Sequence, residues 1–191
     1  MTPEARKAIH SLSFEEVVPF WDTAEKKGGK KQLLEVTREL CQNDLFYLLV
    51  RVCQRRDMLH PWIYARCREV EANPDGYLDL WAREHYKSSL ITFGLSIKDI
   101  LNDPDTTIGI FSHTRPIAKA FLRQIMRELE NNQVLIGAFP DILWGAALKD
   151  APKWSEDEGI ILKRKTNPNE ATVEAWGVVD GQPTSKHFQT L

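Results

Sequence analysis

Residues 81–89 read Trp-Ala-Arg-Glu-His-Tyr-Lys-Ser-Ser, and the pattern of apolar residues changes across them. Before them, Tyr77-Leu-Asp-Leu-Trp81 carries Leu78 and Leu80 on alternate positions, the period of a short strand. After Lys87 the period becomes helical: Leu90, Gly94, Ile97 and Leu101 fall on one face, with Ile91 and Leu95 beside them. A strand, a polar loop and a helix starting at Lys87-Ser88 would aim backbone N–H groups and the positive end of a helix dipole at one point, where a phosphate can sit. The usual phosphate-loop pattern is G-x-x-x-x-G-K-[ST]; Lys87-Ser88 supplies its last two positions, while Trp81 and Tyr86 stand where it has glycines. In that reading Lys87 reaches the β- and γ-phosphates and the Ser88 hydroxyl completes the shell of a Mg²⁺ ion. An ordinary strand-to-helix turn with a solvated Lys and Ser fits the same residues, and the pattern alone leaves both open.

Asp79-Leu-Trp-Ala-Arg-Glu-His-Tyr-Lys-Ser-Ser89, preceded by Leu59-His-Pro-Trp-Ile63 and Arg66-Cys-Arg-Glu-Val70, resembles the amino-terminal ATPase half of a phage terminase large subunit, the DNA-packaging motor. The resemblance continues through Gly109-Ile-Phe-Ser-His-Thr114, Ala118 to Leu122, Val173-Glu-Ala-Trp-Gly177 and His187-Phe188, and covers roughly residues 59–191. In that family the phosphate loop is deviant: an Arg takes an early position, the glycine before the Lys is often missing, and Lys-Ser or Lys-Thr closes it. The resemblance therefore implies an ATP site made of Arg83, Glu84, His85, Tyr86, Lys87, Ser88 and Ser89. Within it Lys87 and Arg83 are catalytic, Ser88 holds Mg²⁺, and Arg83 adds positive charge at the γ-phosphate. A basic residue near Lys186 is the alternative source of that charge, although a Lys lacks the forked contact of an Arg. The resemblance also gives the segment ahead of the loop a part in holding adenine. Trp62 or Tyr64 can stack in that way, and either also fits a core position.

Downstream, Asn102-Asp-Pro-Asp105 is a turn and Thr106–Ser112 a β-rich run without charge, which fits a strand buried on both faces of a parallel sheet. Pro116 opens a helix with Ala118, Phe121, Leu122, Ile125 and Leu129 on one face, ending at Asn131-Asn132. Strand, helix, strand, helix is the grammar of a βαβ unit, whose ligands bind beyond the carboxyl ends of the strands. Arg83–Ser89 and Ser112–Arg115 both belong there. Ser112-His-Thr-Arg115 resembles the nucleic-acid-facing loop of related motor ATPases, and a helix cap formed by Ser112 or Thr114 explains it equally. Residues 134–139 fit a helix end or a strand, 141–148 a short helix and 154–158 a loop. Residues 159–166 and 172–179 read as a hairpin turning at Asn167-Pro-Asn169.

Ahead of this part, residues 3–58 read as wholly helical. Ser13-Phe-Glu-Glu is a cap, Gly28-Gly29 a stop, 31–43 a helix and 45–52 a buried helix. Pro61 stands in the first turn of a helix over about 62–71, which ends before Asn73-Pro-Asp-Gly76. Lys26, Lys27, Lys30 and Lys31, and separately Arg51, Arg55 and Arg56, form basic groups whose default is a solvated surface. With 42% hydrophobic and 27% charged residues and a formal charge of −2, the chain is neither membrane-like nor a nucleic-acid coat. Any DNA contact must be local. The start lacks the apolar core of a signal peptide, and Cys41, Cys53 and Cys67 show no C-x-x-C spacing, so a cytoplasmic protein with buried thiols is expected.

The expected architecture is α/β: a P-loop NTPase-type parallel sheet flanked by helices over 59–191, with a helical extension over 1–58. His187–Leu191 looks like the start of the strand that carries the Walker B acids in the family. Those acids are not found elsewhere, which leaves the sheet incomplete and ATP bound but poorly hydrolysed. The partners the resemblance implies are double-stranded DNA, a small terminase subunit and a portal protein, with a ring-forming homo-oligomer for the full-length motor and no membrane. Two other readings stand beside it. One is a helicase-like P-loop ATPase, the other a non-catalytic assembly module that docks on a small subunit or portal.

Overall fold

The computed structural model describes residues 3–26, 29–72, 80–180, 183 and 185–190, and the chain forms two compact units, 1–94 and 95–191. The first is helical among its described residues, with α1 (Pro3–His10), α2 (Phe14–Lys26), α3 (Lys30–Asn43), α4 (Leu45–Tyr47, continued by a π-helical turn over Leu48–Val52) and α5 (Pro61–Ala72). The cap read at Ser13 is present: its N–H donates to Glu16 Oε2 at 2.8 Å, which holds the Glu16 carboxyl below its usual range. An aromatic cluster forms the core, with Phe46 5.6 Å from Trp21 and 5.2 Å from Tyr64 between ring centroids. Beneath it lies a buried ionic group that the sequence did not announce. Asp44 accepts from Tyr47 N, Trp21 Nε1 and Arg68 Nη2, and Arg68 Nη1 also donates to Glu71 Oε2 at 2.7 Å. Burial drives the Asp44 carboxyl upward against the opposing pull of Arg68.

In the second unit α6 (Ser96–Asn102) leads to β1 (Ile108–Ser112), α7 (Arg115–Asn131), α8 (Gln133–Ala138), α9 (Ala147–Asp150), β2 (Trp154–Ser155), β3 (Gly159–Ile160) and β4 (Val173–Gly177). The fold is α/β with a small four-stranded sheet in the order β1-β4-β3-β2. That sheet is mixed, which corrects the expectation of a parallel one. β1 and β4 run parallel with Ile108 opposite Val173 and Ser112 opposite Gly177, whereas β4–β3 and β3–β2 are antiparallel. The parallel pair encloses α7, whose Ala118, Leu122, Ile125 and Leu129 are buried as their spacing predicts.

Other expectations are corrected locally. Leu80 and Trp81 are not in a strand, and Leu80 is 83% exposed, so alternation there did not mark a buried face; Tyr77–Asp79 lie outside the described residues. Phe111 is 39% exposed, so β1 is not covered on both faces, and its ring instead meets Phe188 edge-on at 5.9 Å. Residues 134–138 are helical, in α8, which the Asn132 side chain caps by accepting from Val134 N and Leu135 N. The helix expected over 141–148 is confined to α9, and the loop expected at Trp154 contains β2. The hairpin exists, though β3 is only two residues long. Thr190 bridges to Ile108 in parallel, and Gly109 N donates to Thr190 O at 2.9 Å, so the segment 187–190 lies along β1. Cys41, Cys53 and Cys67 are free, Cys53 being half-buried and the other two buried.

Candidate functional site

Among the described residues of the first unit, the loop 81–89 lines a cavity of about 460 Å³ together with Arg55. Every residue that the sequence assigned to the ATP site is at this cavity: Arg83, Glu84, His85, Tyr86, Lys87, Ser88 and Ser89. Arg83, Glu84, His85 and Lys87 are exposed, and Tyr86, Ser88 and Ser89 are half-buried. Helical backbone begins at Lys87, and Leu90 N donates to Tyr86 O at 2.9 Å to close its first turn. The following π-helical stretch, Ser89–Leu95, rests on the π-helical turn after α4 through Gly94, where an added Cβ would stand 2.7 Å from Leu49 Cδ2. The lack of a Cβ at Gly94 lets the loop helix approach the Leu49 side chain this closely.

The loop takes a glycine-type backbone without glycines. Glu84 has φ 64° and Tyr86 φ 60°, both left-handed, and Tyr86 is the residue before the Lys where the usual pattern has its second glycine. Side chains hold that conformation. Trp62, on α5, meets Trp81 at 5.3 Å and His85 at 5.5 Å, both edge-on, and His85 Nδ1 donates to the Arg83 carbonyl at 2.7 Å. The Arg55 guanidinium lies 5.9 Å from the centre of the Tyr86 ring. Trp62 thus frames the loop, while Tyr64 is a core residue whose hydroxyl donates to Leu12 O.

Ser112–Arg115 follows the carboxyl end of β1 in the second unit. Neither Ser112 nor Thr114 caps α7; the Asp180 carboxylate, three residues past β4, accepts from Arg115 N instead. The Arg115 guanidinium stacks 5.0 Å over Trp176, and its Nη2 donates to Asp157 O at 2.6 Å. Lys186, the alternative basic residue, is engaged with Glu174 Oε1 at 3.0 Å. Of the basic groups noted in the sequence, Arg51 pairs with Asp22 and Glu25, whereas Lys26, Lys30 and Lys31 are exposed and Lys27 lies outside the described residues.

Comparison of the chain with protein-family models, with curated proteins and with solved structures gives no match. Sequence reasoning missed Arg55 as part of the loop cavity, because it lies 26 residues before the first loop residue and reads as one of several surface arginines. Among the described residues no group of three or more His, Cys, Asp and Glu is arranged to hold a metal, and no helix is long and apolar enough to cross a membrane.

Proposed function

We propose that this chain is the ATP-binding part of a viral DNA-packaging motor, the amino-terminal ATPase portion of a terminase large subunit, which couples ATP hydrolysis to translocation of double-stranded DNA into a procapsid. The observation that carries the reading is the left-handed Tyr86 directly before Lys87-Ser88, in a loop whose cationic side chains share one cavity. A phosphate loop uses its glycines for their backbone conformation, and this loop adopts such a conformation with other residues.

In this reading Lys87 neutralises the β- and γ-phosphates and Arg83 the charge that develops on the transferred group. Ser88 would hold Mg²⁺. A single hydroxyl suits that ion, which keeps several waters and takes most of its remaining ligands from phosphate oxygens. When bound, the ion would screen the phosphate charge. Duplex DNA, a small terminase subunit and a portal ring are the partners of such a motor. Its grip on DNA would fall on phosphates and so weaken with salt.

Calorimetry of Mg-ATP binding to the wild-type chain and to Lys87→Ala tests the reading. The wild type should bind and the variant should lose most of the affinity without a change in melting temperature. Equal affinity in the two would remove the assignment.

A further inference from the structure

Of the ten described residues around the loop cavity, nine come from 81–89 and Arg55 does not. Its side chain is not needed to shape its own turn, since backbone bonds do so: Arg55 N donates to Leu49 O at 3.0 Å, and Met58 N to Arg55 O at 2.9 Å. The guanidinium makes a two-point contact with Asp57, Nε to Oδ1 at 3.0 Å and Nη2 to Oδ2 at 2.9 Å. Both partners are open to solvent, Arg55 34% and Asp57 47% exposed. Exposed pairs of this kind contribute little to stability, so Asp57 orients the guanidinium more than it holds it. Among the described residues, the cavity is lined by three cations, Arg55, Arg83 and Lys87, against one acid, Glu84. Such a lining selects an anion carrying several negative charges.

We propose that Arg55 is an anion-binding residue of this cavity, kept oriented beside Tyr86 by Asp57 in the free protein and released from Asp57 to a polyphosphate when one binds. The proposal rests on the reading of 81–89 as a phosphate loop and adds to it a cation from a separate segment. A guanidinium suits the exchange, because its planar fork engages a carboxylate and a phosphate with the same pair of N–H groups. Arg55 also connects ligand to loop conformation: the group that meets the anion is the group packed against the left-handed Tyr86.

The test is calorimetry with two probes, Mg-ATP and inorganic tripolyphosphate, on the wild type, Arg55→Ala, Arg55→Lys, Asp57→Asn and Lys87→Ala, with thermal melts as the folding control. Arg55→Ala should weaken both probes about tenfold, the loss of one charge-assisted contact. Arg55→Lys should restore part of it, and Asp57→Asn, which removes the competitor, should bind at least as tightly as the wild type. If Lys87→Ala loses binding while Arg55→Ala keeps it, the Arg55 proposal falls and the loop reading survives. If Asp57→Asn weakens binding as much as Arg55→Ala, the pair is a scaffold and the exchange is wrong. Arg55-dependent uptake of tripolyphosphate without uptake of ATP would sustain Arg55 and remove the nucleotide. Uptake of neither probe by the wild type would overturn both.

Discussion

Asp180 Oδ1 accepts the backbone N–H of Arg115 at 2.7 Å, so the chain leaving β4 caps the helix that follows its parallel neighbour β1. Gly177 makes the approach feasible: a Cβ there would stand 2.1 Å from Asp180 Oδ1 and 2.6 Å from Arg115 N. Loss of an N-terminal cap costs about 1 kcal/mol, and Asp180→Ala should destabilise the chain by that amount. Gly177→Ala should cost more, since it displaces backbone as well as the carboxylate. Urea denaturation of the two variants checks the order; a Gly177→Ala protein as stable as the wild type would contradict the close approach.

A second carboxylate gives a pH dependence. Asp105 Oδ1 accepts from Lys165 N, Thr166 N and Thr166 Oγ1, each at 2.8 Å, and these bonds hold its pKa below the ordinary value, the Thr166 N–H first among them. A depressed acid binds its proton less readily folded than unfolded, so its stabilisation is present above the unfolded pKa of about 3.9 and is lost as pH falls through the lower folded value. Asp105→Asn should therefore lose stability at neutral pH and show a smaller further loss between about pH 5 and pH 2 than the wild type does. Melting temperatures of both proteins across that range measure the difference, and parallel curves would refute it.

Arg68 serves two buried acids, Asp44 and Glu71, whose side chains have no solvent exposure. Removing one partner of a buried pair leaves uncompensated charge, at a cost of about 3–5 kcal/mol. Arg68→Met should approach that cost, and adding Asp44→Asn and Glu71→Gln should recover part of it, because the remaining groups are then neutral. A triple variant less stable than Arg68→Met would show that the acids contribute hydrogen bonds worth more than their charge costs.

What could be read from the sequence follows from which physical signal each element carries. The face of α7 was legible because helical period and burial coincide at Ala118, Leu122, Ile125 and Leu129. The residues around Lys87-Ser88 that the sequence singled out share a cavity. By contrast Leu80 alternates as a strand residue and is exposed, since alternation records apolar spacing and not the presence of a partner strand. The direction of β3 relative to β4 was visible from the hairpin, whereas the parallel pairing of β1 with β4 depends on contacts more than 60 residues apart in the chain. Arg55 and the Asp44–Arg68–Glu71 group are long-range as well. Nothing local distinguishes them from other charged residues of the chain.

Slow turnover is the expected state of these 191 residues even where Mg-ATP binds. Hydrolysis needs an acid free to orient water beside the γ-phosphate, in addition to the cations that cradle it. Among the described residues, four acids near the strand ends of the second unit are engaged with other groups. Asp180 caps α7, Glu156 and Asp157 pair with Arg123 and Lys119, and Glu174 accepts from Lys186, Trp176 and the Ala171 N–H. Withdrawing one preorganised group from a transition state costs about 10²–10³-fold in rate. Phosphate release by the wild-type chain should therefore lie close to the background set by Lys87→Ala, while calorimetry separates the two proteins clearly. Turnover far above that background would mean that an acid of this chain orients the attacking water. Asp157→Asn and Asp180→Asn, assayed in turn, would then test two of the candidates.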